Sequence, residues 1–335
     1  MGKTIKSRAP MRISFAGGGT DVPPFCSEYG GAVLNTAIAK YAYVTAEPKS
    51  DGIVLRSTDY IFGLRYNEKK ELLRDEKEDI LKVTLKNYIK RSAGVDISFF
   101  MDVPRRSGLG SSASAFVALL GAINRLERLN MNRKKIAEEA WRLEREGLNN
   151  IGGKQDQYAS AFGGLNYMEF KGDNVDVNPL RVDDRTALEL ERRVLIFYYK
   201  PREASGVVLE SQISNVKAKK KETIDALLRS KEIAKEMKGK MLEGDIDGMG
   251  GLLDEGWMEK KKFSSSISSN DIDALYAKLK EKGALGGKIS GAGGGGYMFV
   301  LCDERKTLDV YHYLSEAGLA PEFLKIDKQG LVTWE

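Results

Sequence analysis

The chain has 335 residues, of which 42% are hydrophobic and 30% are charged, as expected for a soluble globular protein. This length exceeds what one ordinary core accommodates, so we expect two domains, residues 1–190 and 191–335. The 53 Lys and Arg residues outnumber the 48 Asp and Glu residues, for a net charge of +5. Such a small excess is compatible with anionic substrates but does not predict a nucleic-acid-binding protein.

Rare residues and the first residues of the chain argue against several classes of protein. The two cysteines, Cys26 and Cys302, are too few and too far apart for a disulfide framework, which predicts a reducing, cytoplasmic location. The single histidine, His312, argues against a multi-histidine metal site and a Ser-His-Asp triad. Residues 1–10 are charged and contain no apolar run of the signal-peptide kind. No window has the roughly 20 apolar residues of a membrane span, so we expect no membrane association.

The first predicted strand, residues 9–16, ends at a glycine triplet. The residues that follow the strand are Gly17, Gly18, Gly19, Thr20 and Asp21. The triplet is either a tight hairpin turn or a loop whose backbone approaches a ligand, with Arg12 and Asp21 as its polar contacts. Further along, the pattern predicts β segments at 41–47, 53–56 and 61–66, a helix at 79–91 and a strand at 96–103.

A glycine- and serine-rich stretch marks the point where a loop becomes a helix. It comprises Pro104, Arg105, Arg106, Ser107, Gly108, Leu109, Gly110, Ser111, Ser112 and Ala113. Apolar residues at helical spacing follow, so the stretch precedes a helix N-terminus, where anions bind readily. The alternative is an ordinary serine N-cap after a glycine turn. The glycine clusters at 17–19 and 291–296 favour the anion site, in which Ser111 and Ser112 can bond a phosphate oxygen or Mg²⁺.

A carboxylate lies on the apolar face of the next predicted helix. This helix runs from Asn132 to Gly147 and places Ala137, Trp141 and Glu144 at positions i, i+4 and i+7. A buried carboxylate needs a partner, which is either a nearby arginine or a metal ion. Glu146 is the alternative candidate if the helix ends early.

A second carboxylate, Asp156, lies in a polar cluster that glycine pairs bracket within residues 149–164. This pattern predicts a short helix or turn that faces a cavity. Asp156 is either a helix cap or a catalytic base. A base must be ionised at neutral pH, and a positive charge from Lys154 or Arg12 nearby would favour that state.

The second half of the chain is predicted to form a separate α+β domain. The charged segment 181–193 is interpreted as the change of domain. The elements predicted beyond it are a strand at 194–199, helices at 215–241, 245–263 and 270–283, a strand at 297–301, a helix at 308–317 and β segments at 323–326 and 331–334. The glycine-rich stretch 286–296 runs directly into a strand, which favours a loop packed against an active site over a flexible linker.

Three of these segments resemble the motifs of the GHMP kinases, the superfamily of galactokinase, homoserine kinase, mevalonate kinase and phosphomevalonate kinase. Residues 8–21 resemble the first motif, 104–113 the second and 286–300 the third, in the order of the family. Residues 8–21 and 153–158 are most similar to the D-glycero-D-manno-heptose 7-phosphate kinase branch, with L-fucokinase close by. The same branch is similar at Glu255, Trp257, Lys260 and Ser264.

The resemblance implies a two-domain α+β fold, with an N-terminal domain like domain 2 of ribosomal protein S5 and a ferredoxin-like C-terminal domain. It also implies ATP and Mg²⁺, with Asp156 as catalytic base, Arg12 near the transferred phosphate, and Ser112 and Glu144 as ligands of Mg²⁺. The residues expected to bind the ATP phosphates are Pro104, Ser107, Gly108, Leu109, Gly110, Ser111, Ser112 and Ala113. Those expected to bind the substrate are Gly17, Gly18, Gly19, Thr20, Asp21, Gly153, Lys154, Gly293 and Gly294.

The reaction expected from the resemblance is phosphorylation of a sugar hydroxyl, foremost the C1 hydroxyl of D-glycero-D-manno-heptose 7-phosphate. L-Fucose, galactose or another free sugar are alternative acceptors. A non-catalytic nucleotide or sugar sensor and an RNA-binding protein are alternatives from other classes. The expected partners are ATP and a sugar or sugar-phosphate, without nucleic acid or membrane, and the expected state is a monomer or homodimer. Contacts of the substrate with Arg202 and with the lysines at 260–262 are left open.

Overall fold

The computed structural model of the chain describes residues 3–57, 62–76, 79–90, 94–201 and 205–335. The predictions that concern Ile61, Arg91 and Arg202 lie outside these residues. The strands are β1 (Ile5–Ala16), β2 (Gly31–Pro48), β3 (Ile53–Ser57), β4 (Phe62–Tyr66), β5 (Val95–Met101), β6 (Leu165–Lys171), β7 (Asn174–Pro179), β8 (Val194–Lys200), β9 (Ala284–Ile289), β10 (Gly296–Cys302), β11 (Glu322–Phe323) and β12 (Val332–Trp334).

The helices of the described residues lie between these strands in the chain. They are α1 (Phe25–Tyr29), α2 (Lys69–Arg74), α3 (Ile80–Tyr88), α4 (Ser111–Glu127), α5 (Arg133–Arg142), α6 (Gln155–Phe162), α7 (Asp184–Arg193), α8 (Ser205–Lys217), α9 (Lys221–Glu243), α10 (Ile246–Lys261), α11 (Asn270–Lys282) and α12 (Thr307–Glu316). No helix of the described segments combines the length and the apolar character that crossing a bilayer requires.

The N-terminal sheet is built around the long pair of β1 and β2. These strands are antiparallel, with Ile5 opposite Ala46 and Ala16 opposite Leu34. The first part of β2 pairs with β6 and its last part with β5, so that β2 connects two branches of one sheet. The β segment predicted at 41–47 is therefore too short, because residues 31–38 are buried throughout and do not alternate as a half-exposed strand does.

The last residues of the chain return to this N-terminal sheet. Strand β12 pairs with β1, with Lys6 opposite Trp334 and Arg8 opposite Val332. Leu331, just before β12, lies against Gly121 of α4. The edge of β1 is thereby covered, which protects a strand edge that would otherwise expose unpaired backbone groups.

The C-terminal sheet has the strand order β11-β8-β10-β9, and its neighbours are antiparallel. In chain order these are the fourth, first, third and second strands of the unit, with α12 between the third and the fourth. This order is that of the ferredoxin-like fold, which confirms the predicted architecture of the second domain.

One predicted helix, at 215–241, is wrong. The structure has two helices there, because α8 ends at Lys217 and α9 begins at Lys221. Lys219 takes a left-handed backbone conformation with φ of 51°, which no helix continues through. On a continuous helix Lys217 and Lys221 would also lie four residues apart on one face, where like charges repel.

A hydrophobic core joins the two domains and fixes the orientation of β1. Met11, Ile13 and Phe15 pack with Phe299 of β10 and with residues of α9 such as Met237. Since side chains alternate along a strand, Arg12 and Ser14 point the other way, into the cavity described below.

Candidate active site

One cavity of about 960 Å³ receives residues from all three glycine-rich segments. Gly18 and Gly19 come from the loop after β1, Gly108 and Gly110 from the loop before α4, and Gly291 from the loop between β9 and β10. The volume is that of a site for small molecules. Segments as far apart in sequence as Gly18 and Gly291 therefore border the same space.

The loop before α4 has the backbone geometry of an anion site. Gly110 is the N-cap of α4 and has a left-handed φ of 76°, so the first N–H groups of α4 have no side-chain cap. A Cβ at Gly110 would lie 3.2 Å from the Oδ2 of Asp156. The prediction of a helix that starts directly after this glycine is confirmed by the structure.

The first residues of β10 hold the loop before α4 in place. The carbonyl oxygen of Ser107 accepts a hydrogen bond from the N–H of Tyr297 (2.8 Å), and its Oγ accepts one from the N–H of Leu109 (3.3 Å). A Cβ at Gly296 would lie 2.4 Å from the Ser107 carbonyl oxygen, so only glycine allows this close approach. Ser107 and Leu109 are thus buried supports of the loop and do not line the cavity.

At the centre of the cavity, Arg12 and Asp156 form a bidentate ion pair. The Arg12 Nε donates to Asp156 Oδ1 (2.7 Å) and Nη2 donates to Asp156 Oδ2 (2.8 Å). The remaining Nη1 donates to the carbonyl oxygen of Gly108 (2.9 Å). Arg12 is buried, whereas 28% of the Asp156 side chain is exposed toward the cavity. The planar guanidinium therefore joins the loop before α4 to a carboxylate that is open to a ligand.

Asp21 lies at the same end of the cavity as Gly18 and Gly19. Its carboxylate accepts hydrogen bonds from the N–H and the Nε2 of Gln155, at 3.2 and 3.0 Å. Burial, and secondly the charge of Asp156, raise the pKa of Asp21 above its ordinary value. A Cβ at Gly153 would lie 1.9 Å from Asp21 Oδ2, so the space for this carboxylate depends on that glycine.

Glu144 reaches the cavity from an irregular turn. The helix predicted to run to Gly147 ends as α-helix at Arg142, and Leu143–Gly147 form a π-helical turn, a feature often found at functional sites. The Glu144 carboxylate hydrogen-bonds with the Ser112 side chain and accepts from Gln157 Nε2 (2.8 Å). Burial raises its pKa. Glu146 points outward and pairs with Arg142 (3.2 Å).

The oxygen atoms of Glu144 and its neighbours fit a magnesium ion. The Ser112 hydroxyl and the Glu144 carboxylate supply the oxygen ligands that Mg²⁺ prefers, and the buried Oε1 of Gln157 has no hydrogen-bond partner within the described residues. Those residues contain no group of three or more His, Cys, Asp or Glu side chains that could hold a metal. Few protein ligands are typical of Mg²⁺, which keeps water and takes phosphate oxygens.

Several residues predicted to bind ligands lie behind the cavity wall. The Lys154 Nζ donates to the backbone oxygen of Asp173 (2.8 Å) and lies over the Trp141 ring. The Gly294 N–H donates to the Ile267 oxygen (2.9 Å). The other predicted residues that do not line the cavity are Gly17, Thr20, Pro104 and Gly293. Thr20 closes the first glycine loop, since its Oγ1 donates to the oxygen of Gly17 (2.8 Å).

Other residues of the wall were not predicted. They include Leu64, Asp75, Asp79, Ile80 and Lys82 from the N-terminal domain, and Gln212, Lys288, Gly291 and Ala292 from the second half of the chain. The Gln212 Nε2 donates to the oxygen of Gly19 (2.9 Å), a contact between α8 and the first glycine loop that no local pattern indicates. Lys288 lies inside the third glycine-rich segment, three residues before Gly291, and no distinctive local pattern marks it.

Comparisons with known proteins agree with this geometry. The family model "GHMP kinases N terminal domain" matches residues 78–164 and "GHMP kinases C terminal" matches residues 237–319. A D-glycero-alpha-D-manno-heptose 7-phosphate kinase of Campylobacter jejuni is 34% identical over 99% of both chains. A mevalonate kinase of Thermococcus sibiricus is 30% identical over 90% of this chain and 92% of its own. A crystal structure of a D-glycero-D-manno-heptose 1-phosphate kinase from Bacteroides thetaiotaomicron has a TM-score of 0.82, 29% identity and 99% coverage of both chains.

Proposed function

We propose that this chain, which belongs to the GHMP kinase family, transfers the γ-phosphoryl group of ATP to the C1 hydroxyl of D-glycero-D-manno-heptose 7-phosphate. The observation that carries the proposal is the Arg12–Asp156 pair, which lies between the N-terminus of α4 and the carboxylate of Asp21. A donor phosphate on one side and an acceptor hydroxyl on the other would meet at this pair.

The nucleotide is expected to bind along the N-terminal domain. The uncapped N–H groups of α4 and the glycines at 108 and 110 suit its phosphates, because a helix N-terminus carries partial positive charge. The apolar side chains of Leu64 and Ile80 border the same cavity and suit its base. Mg²⁺, held by Ser112 and Glu144, would neutralise charge on the phosphates when it is bound.

The chemistry needs one base and one cation, and the central pair supplies both. The acceptor oxygen attacks the γ-phosphorus, the bond from that phosphorus to the bridging oxygen breaks, and ADP leaves. Asp156 takes the proton of the attacking hydroxyl. Arg12 orients this carboxylate and stabilises the charge that builds on the transferred group. Positioning and electrostatics contribute most of the rate enhancement in such reactions.

The acceptor is expected beside Asp21. Its carboxylate already accepts from Gln155, and its free lone pairs can accept from sugar hydroxyls. Gly18 and Gly19 leave backbone accessible next to it, and Gln212 holds this loop from the second domain. A polyhydroxylated acceptor fits this combination better than an apolar one.

Two observations support a heptose phosphate as the acceptor. The heptose 7-phosphate kinase relative aligns along essentially the whole chain at higher identity than the mevalonate kinase. The structural relative is also named as a heptose phosphate kinase, although its name places the phosphate at position 1. We assign the acceptor as the 7-phosphate and the product as the 1,7-bisphosphate.

An ADP-release assay tests this assignment. D-glycero-D-manno-heptose 7-phosphate, the 1-phosphate, free heptose, L-fucose, galactose and mevalonate are compared, with Mg²⁺ omitted as control. We expect the 7-phosphate to give the highest kcat/KM and ³¹P NMR to show a new anomeric phosphate. A higher kcat/KM with fucose, galactose or mevalonate overturns the assignment of the substrate. Ligand-induced stabilisation without ADP release overturns the assignment of kinase activity.

A further inference from the structure

The cavity wall contains an arginine that the proposed reaction does not use. Arg145 lies in the π-helical turn, is half-buried and lines the cavity. Its guanidinium makes no hydrogen bond or ion pair with the described residues. Its Nη1 is enclosed without an acceptor, whereas Nε and Nη2 are not enclosed. Because an enclosed donor without an acceptor is costly and rare, we expect a ligand to supply the acceptor.

The carboxylates of the cavity do not supply this acceptor. They belong to Asp21, Asp75, Asp79, Glu144, Asp156 and Glu210. None of them forms an ion pair with Arg145 in the part of the chain that the structure describes. Asp156 pairs with Arg12. The Lys82 Nζ lies 2.8 Å from Asp75 Oδ2 and 3.8 Å from Asp79 Oδ2. Asp21 accepts from Gln155, and Glu210 is exposed on α8.

The carboxylates on either side of Arg145 in the sequence have other partners. Glu144 hydrogen-bonds with the Ser112 side chain and accepts from Gln157 Nε2. Glu146 points outward and pairs with a different arginine, at 3.2 Å. Neither neighbour therefore neutralises the guanidinium.

The charge of the cavity wall as a whole is close to balanced. Besides Arg145, the cations of the wall are Arg12, Lys82, Arg105, Arg106, Lys260 and Lys288. Seven cations thus accompany six carboxylates among the residues that line the cavity. The need for an anion at Arg145 is local, because it arises from donors that lack an acceptor and not from an excess of positive charge.

An aromatic ring supports the guanidinium from one side. The Arg145 Cζ lies 5.9 Å from the centroid of the Trp141 ring, which is a cation–π distance. The indole is itself held, since its Nε1 donates to the oxygen of Gly152 (3.5 Å). Trp141 and Gly152 line the cavity as well. An arginine that packs on a ring has a pre-organised fork of donors and loses little freedom when it binds an oxyanion.

The position of Arg145 brings it near the phosphates that the proposed reaction handles. It directly follows Glu144, the residue that we assign to Mg²⁺ beside the N-terminus of α4. Its neighbour Trp141 bonds the residue before Gly153, and a Cβ at Gly153 would lie 1.9 Å from Asp21 Oδ2. Arg145 is therefore close to the proposed metal site and to the loop that packs on the proposed acceptor site.

We propose that Arg145 binds a phosphate group of a ligand in this cavity, which is a phosphate of the nucleotide or the one that the sugar acceptor already carries. This inference rests on the proposed function and adds a binding residue to it. A guanidinium can donate two parallel hydrogen bonds to phosphate oxygens. Turning toward the phosphate gives Nη1 the acceptor that it lacks in the free protein.

The test compares wild type, Arg145→Met, Arg145→Lys and the control Arg192→Met, whose arginine is exposed and pairs with Glu189. Calorimetry gives the Kd of MgATP, adenosine, heptose 7-phosphate and free heptose. For Arg145→Met we expect the affinity for a phosphate-bearing ligand to fall by about 10- to 100-fold, because hydrogen bonds to a charged group are lost. Arg145→Lys keeps the charge without the fork and should recover only part of this loss. The control should match wild type.

The paired ligands identify the source of the phosphate. In Arg145→Met, a larger loss for MgATP than for adenosine assigns the nucleotide, and a larger loss for heptose 7-phosphate than for free heptose assigns the acceptor. Equal losses within both pairs, unchanged Kd values, or a fall confined to kcat overturn the subsite while the kinase assignment stands. A wild type that binds MgATP but releases no ADP with any sugar overturns the proposed function, and the MgATP titration still decides on Arg145. Melting temperatures identify misfolding of Arg145→Met, in which case Arg145→Lys decides.

Discussion

At the scale of single residues, the ion pair of Arg12 and Asp156 supports the proposal that this carboxylate serves as a base beside the phosphates of ATP. The guanidinium holds both carboxylate oxygens at 2.7 and 2.8 Å and so fixes the direction of the lone pairs. It also offsets the repulsion between this carboxylate and an incoming triphosphate.

Replacing Asp156 by Asn tests the role of the base. An amide keeps the size of the side chain but cannot take a proton at neutral pH, so kcat should fall by about two orders of magnitude or more. ATP should still bind, since Asn keeps the size of the side chain and the N–H groups at the start of α4 remain available. Rapid-quench measurement of ADP formation and nucleotide titration check the two statements. A variant with near-normal turnover would remove Asp156 from this role.

Glu144 and Glu146 offer a matched pair for testing the metal site. Glu144 faces the cavity beside Ser112, whereas Glu146 is exposed two residues away. Glu144→Gln removes a charged oxygen ligand and should raise the Mg²⁺ concentration for half-maximal rate by about tenfold or more, because second-shell and ligand changes commonly cost that much in metal affinity. Glu146→Gln should leave the Mg²⁺ titration unchanged. If both variants needed the same Mg²⁺ concentration for half-maximal rate, Glu144 would not be a ligand of Mg²⁺.

At the scale of elements, the proposed phosphate site at the start of α4 depends on the conformation of one glycine. Gly110 has a φ of 76°, and a Cβ built on it would lie only 3.2 Å from Asp156 Oδ2. A side chain there would therefore strain the backbone and also push the carboxylate away from Arg12. The two effects can be separated, because the turn glycine Gly172 has a φ of 59° and no atom within 4 Å of its hypothetical Cβ.

We therefore predict different outcomes for Gly110→Ala and Gly172→Ala. Both should destabilise the protein by about 1 kcal/mol, since an L-residue in the left-handed region costs roughly that amount. Only Gly110→Ala should lower kcat/KM, by about tenfold or more, because it also displaces the reacting carboxylate. Chemical denaturation and steady-state kinetics give the two readouts. Equal kinetic effects in both variants would contradict the explanation.

The π-helical turn at Leu143–Gly147 shows how an irregular element directs a side chain. A regular α-helix was predicted to end at Gly147, where the structure has the π-helical turn. Glu144 was nevertheless correctly identified as the carboxylate that points inward. The turn widens the helix at that point and leaves Glu146 outside with Arg142. Periodicity predicts the face of a helix, but it does not predict a local change in the number of residues per turn.

At the scale of the whole molecule, the last residues of the chain close the N-terminal sheet from the far end of the sequence. Leu331 is buried against α4, and β12 adds to the edge of β1. The arrangement stabilises the strand that carries Arg12, although it lies outside the cavity. Folding of the N-terminal sheet is thus coupled to residues that follow the second domain.

Leu331→Ala should lower the free energy of unfolding by about 2–3 kcal/mol, as expected when a buried leucine is truncated. Kinetic constants at a temperature well below the transition should change little, because the residue touches no part of the cavity. Leu308→Ala is a suitable control, since that leucine is 61% exposed. Urea denaturation measures the effect. If Leu331→Ala lowered the free energy of unfolding no more than Leu308→Ala does, the packing of Leu331 and β12 would contribute little to stability.

The sequence by itself determined the features that depend on consecutive residues. The glycine loop before α4 and the start of that helix are local requirements of the backbone, and the structure has them where they were predicted. Asp156 was expected on a short helix or turn, and the structure has a short helix there. The order of the three motifs also indicated a kinase of this family, which the comparisons bear out.

Only the tertiary structure decided which of these residues border the cavity and which support it from behind. Lys154, Gly293 and Gly294 belong to recognisable segments but contact other backbone, whereas Gln212 and Lys288 reach the cavity without a distinctive local pattern. The reason is physical. Conformational preference acts over a few residues, while the cavity wall is set by how β1 packs with α8, α10 and β9, which lie far from β1 in the sequence.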